Sequence, residues 1–281
     1  MKELFKPLSL GTNICQGYGL EEALDIVKKT GFEYAELCSI VTMWHHVDPK
    51  DMTPDYAETV KNLLDSKGMR CYAISGHVDP TLDLQCEMLL KKIEFAGRIG
   101  AKIVNTNAGD RSRRAEFYKN MRKLIEMAEK WNVIIGLESH GDIVHTAQES
   151  VPIFREFNHP LVRLNYDTGN TYYYCNGNIK VEEDIKYGAE YLSYIHLKDI
   201  RVRGSFAEYC PIGEGDINFP ALLSWMQETF GADFPCGLEI PVQCMGPLGN
   251  IAQKNYPLHE NVICSAVSHS VEYLNHLQQV L

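Results

Sequence analysis

The sequence predicts a single closed (β/α)8 barrel, on three observations. Short apolar runs alternate with longer helical patterns almost from end to end. About eight such pairs in 281 residues average about 35 residues each, the size of one βα unit. The first strand runs into Gly11-Thr12-Asn13, without the glycine-rich phosphate loop that usually follows an early strand of a doubly wound open sheet. No Pro/Gly/Ser-rich linker or shift in composition divides the chain, so residues 1–281 read as one domain.

Taken in order, a strand over Leu8–Ile14 precedes a helix over Leu20–Thr30, whose apolar residues recur at three- and four-residue spacing. Strand Tyr34–Cys38 precedes helix Pro54–Lys67; Arg70–Gly76 precedes Leu82–Ile99; Lys102–Asn107 precedes Ala115–Trp131. Strands Val133–Glu138, Val162–Asp167, Leu192–Leu197 and Cys236–Ile240 follow, and a helix over His259–Gln279 ends the pattern. The strands are apolar at successive positions, as expected where both faces are covered. Gly31, Gly68 and Gly100 follow three of the helices at the C-cap, where glycine enters the left-handed region without steric penalty.

Composition excludes several classes of function. With 27 Lys+Arg against 37 Asp+Glu, the formal charge is −10, and no basic run exceeds Arg111–Arg114, which argues against a nucleic-acid partner. The amino terminus MKELFKPLSLGTN has no apolar stretch of signal-peptide length, and nothing approaches the roughly 18 apolar residues of a membrane span. A cytoplasmic protein is expected, with no membrane partner; a homo-oligomer is compatible with the sequence. Nine cysteines, without a C-x-x-C pair, fit neither a disulfide framework nor a thiolate zinc site.

The polar residues at the C-terminal ends of the strands carry the chemistry. VIIGLE ends in Glu138, VRLNYD ends in Asp167, YIHLKD carries His196 and CGLEIP carries Glu239. The separations of 29, 29 and 43 residues correspond to one βα unit, another, and one unit with an inserted loop, so successive strands bring all four into one ring. Alone, each is as readily a surface carboxylate or a satisfied core histidine. Together, three carboxylates and an imidazole form a mixed oxygen/nitrogen set suited to one divalent ion such as Mn, Mg, Co or Zn. Three negative charges within a few ångströms repel by kilocalories per mole, and a cation is the natural compensation.

These residues lie in motifs, GLESHGD, NYDTGN, IHLKD, PIGEGDINF and GLEIP, that resemble the xylose-isomerase-like barrels. That group includes sugar phosphate isomerases/epimerases, ketose 3-epimerases, inosose isomerases and dehydratases, and endonuclease IV. In the epimerases and inosose isomerases the ligand order is Glu, Asp, His, Glu, and the resemblance carries it onto Glu138, Asp167, His196 and Glu239. Endonuclease IV and the ketose 3-epimerases carry a histidine three residues after the aspartate, where this sequence has Asn170. That departure and the acidic balance argue against DNA repair and against the ketose 3-epimerase subfamily itself.

Substrate contacts are expected from His77 after the third strand, Asn107 closing the fourth, His140 two residues after Glu138, Asn170, Lys198 on the face of His196, Arg201 and Glu214. Surface solvation is the alternative for His77, His140 and Arg201 or Arg203, and a turn leading into a helix capped by Asp216 or Asn218 is the alternative for the Glu214 segment. Tyr172-Tyr173-Tyr174 and Trp44-His45-His46 read as loops at the barrel mouth that stack on sugar C–H faces or close a packed loop. Adjacent histidines on an extended segment point oppositely, so His45-His46 is no second metal site.

The resemblance implies a divalent-metal-dependent isomerase or epimerase of a keto-sugar or cyclitol, acting through a cis-enediolate with Glu138 and Glu239 as acid and base. The alternative in another reaction class is a lyase that uses the same enolate to eliminate a β-leaving group from a keto-sugar, inosose or dehydroshikimate-like substrate. A non-catalytic sugar- or metal-binding barrel is the third reading, and the intact glutamates speak against it.

Overall fold

The computed structural model describes residues 5–41, 43–253 and 257–280. The first four residues of the amino-terminal stretch, and Leu281 at the end of the expected domain, lie outside the described residues. The strands are β1 (Leu8–Gly11), β2 (Tyr34–Cys38), β3 (Arg70–Ser75), β4 (Ile103–Thr106), β5 (Ile134–Glu138), β6 (Val162–Asp167), β7 (Leu192–Leu197), β8 (Asp199–Arg203), β9 (Phe206–Cys210), β10 (Cys236–Leu238), β11 (Cys244–Pro247) and β12 (Ala252–Gln253). Strands β1 to β7 follow one another around a closed parallel barrel and β10 completes it between β7 and β1. The (β/α)8 architecture expected from the alternating pattern is therefore the one the chain adopts.

The helices are α1 (Leu20–Lys29), α2 (Pro54–Ser66), α3 (Asp83–Ile99), α4 (Arg114–Trp131), α5 (Ala147–Phe157), α6 (Thr168–Tyr174), α7 (Val181–Asp184), α8 (Phe219–Phe230) and α9 (Glu260–Val280). Their starts are set locally. Thr53 accepts from Tyr56 N ahead of Pro54, Thr146 accepts from Glu149 N, and Asn218 accepts from Ala221 N ahead of Pro220. Each long helix turns one apolar stripe inward, as α1 does with Ala23, Leu24, Ile26 and Val27. The main core lies between these stripes and the outer faces of the strands.

Three expectations need correction. The first strand ends at Gly11, and Thr12–Cys15 form a 3-10 turn. Tyr172-Tyr173-Tyr174 is not a loop but the end of α6, which forms because the Asp167 carboxylate accepts from Asn170 N at 2.7 Å and caps the first turn. The loop expected between the seventh and eighth barrel strands contains the hairpin β8–β9, which joins β11 and β12 in a four-stranded antiparallel sheet.

Alternation along the strands decides what fills the barrel. On β6, Asn165 and Asp167 share a face, and on β7 Tyr194 and His196 do. Asp167 pairs with His196 in register and Glu138 with Asn165. Below this polar level, Ala73, Ile103 and Tyr194 form a small apolar cluster of their own. Two glycines make the polar level fit. A Cβ on Gly136 would lie 2.3 Å from Asn105 Oδ1, and one on Gly237 would lie 2.7 Å from both Glu36 Oε2 and the Tyr194 hydroxyl. Each stands two residues before a glutamate, in the same GLE triplet. The glutamate faces the mouth, and the glycine opens the level beneath it.

Gly136→Ala and Gly237→Ala should therefore each destabilise the fold by about 1–3 kcal/mol through overpacking. Urea denaturation of the two variants checks this; losses below about 0.5 kcal/mol, the range of surface substitutions, would show that the interior has room to spare.

Candidate functional site

Glu138, Asp167, His196 and Glu239 converge at the C-terminal ends of β5, β6, β7 and β10, four consecutive barrel strands. One ligand atom from each lies within 4.8 Å of all the others. They are 1%, 0%, 1% and 7% exposed. His196 sits centrally: its Nδ1 is 3.0 Å from Glu138 Oε2, 3.5 Å from Asp167 Oδ2 and 3.4 Å from Glu239 Oε2. Glu138 and Glu239 flank the Asp167–His196 pair, with β6 and β7 between them on one side and β1 to β4 on the other.

Neutral amides hold the carboxylates in place. Asn165 Nδ2 donates to Glu138 Oε2 at 2.9 Å, Asn170 Nδ2 to Glu138 Oε1 at 2.9 Å, and Asn13 Nδ2 to Glu239 Oε1 at 2.7 Å. Lys198 is the cation of the cluster, with Nζ 3.0 Å from Glu239 Oε2, 3.3 Å from Asp167 Oδ2 and 3.1 Å from Asn170 Oδ1. Burial opposes its charge, but Asp167 and Glu239 hold its pKa well above the usual lysine range. Burial likewise opposes charge on Glu138, and His77 and His196 hold it well below the usual carboxylate range. For His196 burial is overridden by Glu36 and Glu138, which push its pKa well up.

Three carboxylate oxygens and one imidazole nitrogen, mutually within reach and shielded from water, fit a divalent cation that favours oxygen and nitrogen donors. Beside the cluster opens a cavity of about 350 Å³ whose walls include His140, Asn170, Tyr173, Tyr174, Lys198 and Glu239. Tyr209 joins them from β9 and donates its hydroxyl to Asn170 Oδ1 at 3.0 Å.

Other expected contacts lie elsewhere. His77 is buried and faces Glu138, with Nε2 2.8 Å from Oε2 and Nδ1 3.1 Å from Ser75 Oγ, so it buttresses that glutamate instead of opening to the cavity. Asn107 donates to His140 Nδ1 at 3.3 Å, behind the cavity wall. Arg201 and Glu214 are not part of the cavity wall: Arg201 donates to the Glu214 carbonyl and to Glu208. The PIGEGD turn is shaped by Asp199, which accepts from the amides of Gly213, Gly215 and Ile217, and Asn218 rather than Asp216 caps the helix. His46 is buried against Thr12 Oγ1 and the Cys15 carbonyl, so Met43 rather than the Trp44-His45-His46 run reaches the cavity.

The residues not singled out from sequence are Asn13, Glu36, Asn105 and Asn165, together with Tyr209. A signal existed: Glu36 is an acid in the middle of the apolar run Tyr34–Cys38, and Asn165 stands two residues before Asp167 on the same face.

The sequence matches the family described as xylose isomerase-like TIM barrel over residues 24–257. A xylose isomerase domain protein from Planctomyces limnophilus is similar with a TM-score of 0.76 at 17% identity, over 98% of each chain. A xylose isomerase-like TIM barrel protein from Mycobacterium smegmatis, solved in complex with magnesium, gives 0.72 at 14% identity over 99% of this chain and 98% of that one. The D-allulose 3-epimerase from Methylomonas sp. in complex with D-allulose gives 0.71 at 16% identity over 96% of each. No curated protein matches the sequence. Among the described residues no helix is long and apolar enough to cross a membrane.

The raised pKa of His196 keeps it protonated near neutral pH without an ion, so a cation that takes Nδ1 must displace a proton. Affinity for Mn²⁺ should therefore fall as pH is lowered, and calorimetry in buffers of different protonation enthalpy should register proton release. Affinity independent of pH between 6 and 8 would contradict the role of Nδ1.

Proposed function

Because the chain belongs to the xylose isomerase-like TIM barrel family, we propose that it is a divalent-metal-dependent isomerase or epimerase of a keto-sugar or cyclitol. The observation that carries this reading is the buried Glu138–Asp167–His196–Glu239 set lying beside the 350 Å³ cavity, with Glu239 in its wall. Those four residues would hold the ion, and the similarity to a magnesium-bound protein makes Mg²⁺ and Mn²⁺ the first ions to try. When bound, the ion supplies Lewis-acid polarisation of a substrate carbonyl and its neighbouring hydroxyl.

The chain's own residues do the remaining work. Glu239 forms part of the cavity wall and is held by Asn13 on one oxygen and Lys198 on the other, so it meets a substrate C–H with its orientation fixed. Glu138, held by Asn170, Asn165 and His77, would exchange a proton from the other flank of the Asp167–His196 pair. Lys198 Nζ lies where it stabilises negative charge developing on a substrate oxygen. Tyr173, Tyr174 and Tyr209 supply apolar faces for sugar C–H groups and limit access of water.

A screen of ketoses, keto-glycosides and inososes with added Mn²⁺ or Mg²⁺, followed by NMR in D₂O, tests the reading. Deuterium should enter a carbon next to the carbonyl of one substrate class. An alkene signal would instead identify elimination, and the lyase reading would replace this one. With metal content verified, Glu138→Gln and Glu239→Gln should each lower turnover by about 10²–10⁴-fold, the usual contribution of a general base. Exchange at the wild-type rate in a metal-loaded variant would demote that glutamate to a ligand.

A further inference from the structure

His196 has a fourth carboxylate at its other ring nitrogen, away from the ligand set. Glu36, on β2, is 2% exposed, and its two oxygens lie 3.0 and 3.1 Å from His196 Nε2. A carboxylate only accepts, so Nε2 must carry a hydrogen. Asn105 Nδ2 donates to Glu36 Oε1 at 3.0 Å and fixes the carboxylate in turn. Among the described residues His196 is the only ion-pair partner of Glu36, and no lysine or arginine pairs with it. A buried carboxylate with one partner is costly, so its position calls for a reason.

Local structure is arranged around this contact. The pairing of β2 with β3 shifts register between Ala35 and Glu36, a device that re-aims side chains. Gly237, on the strand beside His196, leaves the space that Glu36 Oε2 fills. None of these residues forms part of the cavity wall, and Glu36 meets the ligand set through His196.

We propose that Glu36 is the positioning residue of the site: by accepting the Nε2 hydrogen it holds the His196 ring with Nδ1 turned toward Glu138, Asp167 and Glu239, and thereby sets the affinity for the divalent ion. This rests on the reading of those four residues as the ligand set. With Glu36 in place, the imidazole cannot present Nε2 to the ion or rotate about its own axis without losing a charge-assisted bond. Removing the acceptor frees both movements and lowers the electron density at Nδ1.

Titration calorimetry with Mn²⁺ on wild type, Glu36→Ala and Glu36→Gln tests it. Wild type should bind one ion per chain, and Glu36→Ala should bind 10–100-fold more weakly, the usual cost of losing such a partner. Glu36→Gln, whose amide oxygen still accepts from Nε2, should recover most of that loss. A second readout is the imidazole tautomer in long-range ¹H–¹⁵N spectra of the Zn²⁺-loaded protein. Nε2 should be protonated in wild type and in Glu36→Gln. Wild-type Mn²⁺ affinity in Glu36→Ala, with only the melting temperature lowered, would make Glu36 a core polar group and overturn the proposal. If Glu36→Ala does not fold, the spectra decide: an unprotonated Nε2 in metal-loaded wild type overturns it. Absence of Mn²⁺ binding by wild type would instead overturn the ligand assignment itself, and the proposal with it.

Discussion

Four carboxylates share one buried space at the barrel mouth, and most of what surrounds them answers that crowding. Glu36, Glu138, Asp167 and Glu239 are each at most 7% exposed, and Lys198 is the one lysine among them. Two unit charges 4 Å apart interact by about 4 kcal/mol at an effective dielectric near 20, so such a group is intolerable without compensation. The chain offers three kinds. Asparagine amides donate to individual oxygens, Lys198 brings positive charge while His77 and His196 turn ring nitrogens to Glu138, and the four ligand atoms lie close enough together to share one cation.

The fold explains why the crowding is achievable. Parallel strands deliver side chains to one end of the barrel, and four neighbouring strands deliver Glu138, Asp167, His196 and Glu239 there. The other four strands and their following segments contribute supporting groups: Asn13 after β1, Glu36 on β2, His77 after β3 and Asn105 on β4. One half of the barrel thus presents the four clustered side chains, and the other half adds orienting groups to those that Asn165, Asn170 and Lys198 supply. Close packing at this level leaves no volume for side chains at Gly136 and Gly237, which gives the repeated GLE triplet a steric meaning as well as a chemical one.

Much of this was legible in the sequence because both the strand pattern and the strand-end rule are local. Tyr34–Cys38, Val162–Asp167 and Leu192–Leu197 match the observed strands residue for residue, and the four clustered residues stand within one residue of strand ends. What escaped was tertiary. Glu36 lies inside a strand, so attention to strand ends passes over it, and only the meeting of β2 with β7 across the barrel reveals its partner. Asn13 acts from a 3-10 turn that reads as continuing strand. Arg201 and Arg203 read as residues beside the mouth because they closely follow His196. The alternation of Ile200 and Val202 with those arginines, and the Gly204-Ser205 turn, mark a hairpin in which they pair with Glu208, Glu214 and Asp216. His77 follows a strand end and reads as a substrate contact, whereas its engagement with Glu138 depends on a neighbour 61 residues away.

Under the proposed function, the charge crowded at the mouth holds one cation among Glu138, Asp167, His196 and Glu239. Anomalous diffraction from crystals grown with Mn²⁺ tests this most directly. The account predicts a single strong anomalous peak within coordination distance of all four side chains, with His196 contributing Nδ1. A peak elsewhere, or none in this space, would contradict it.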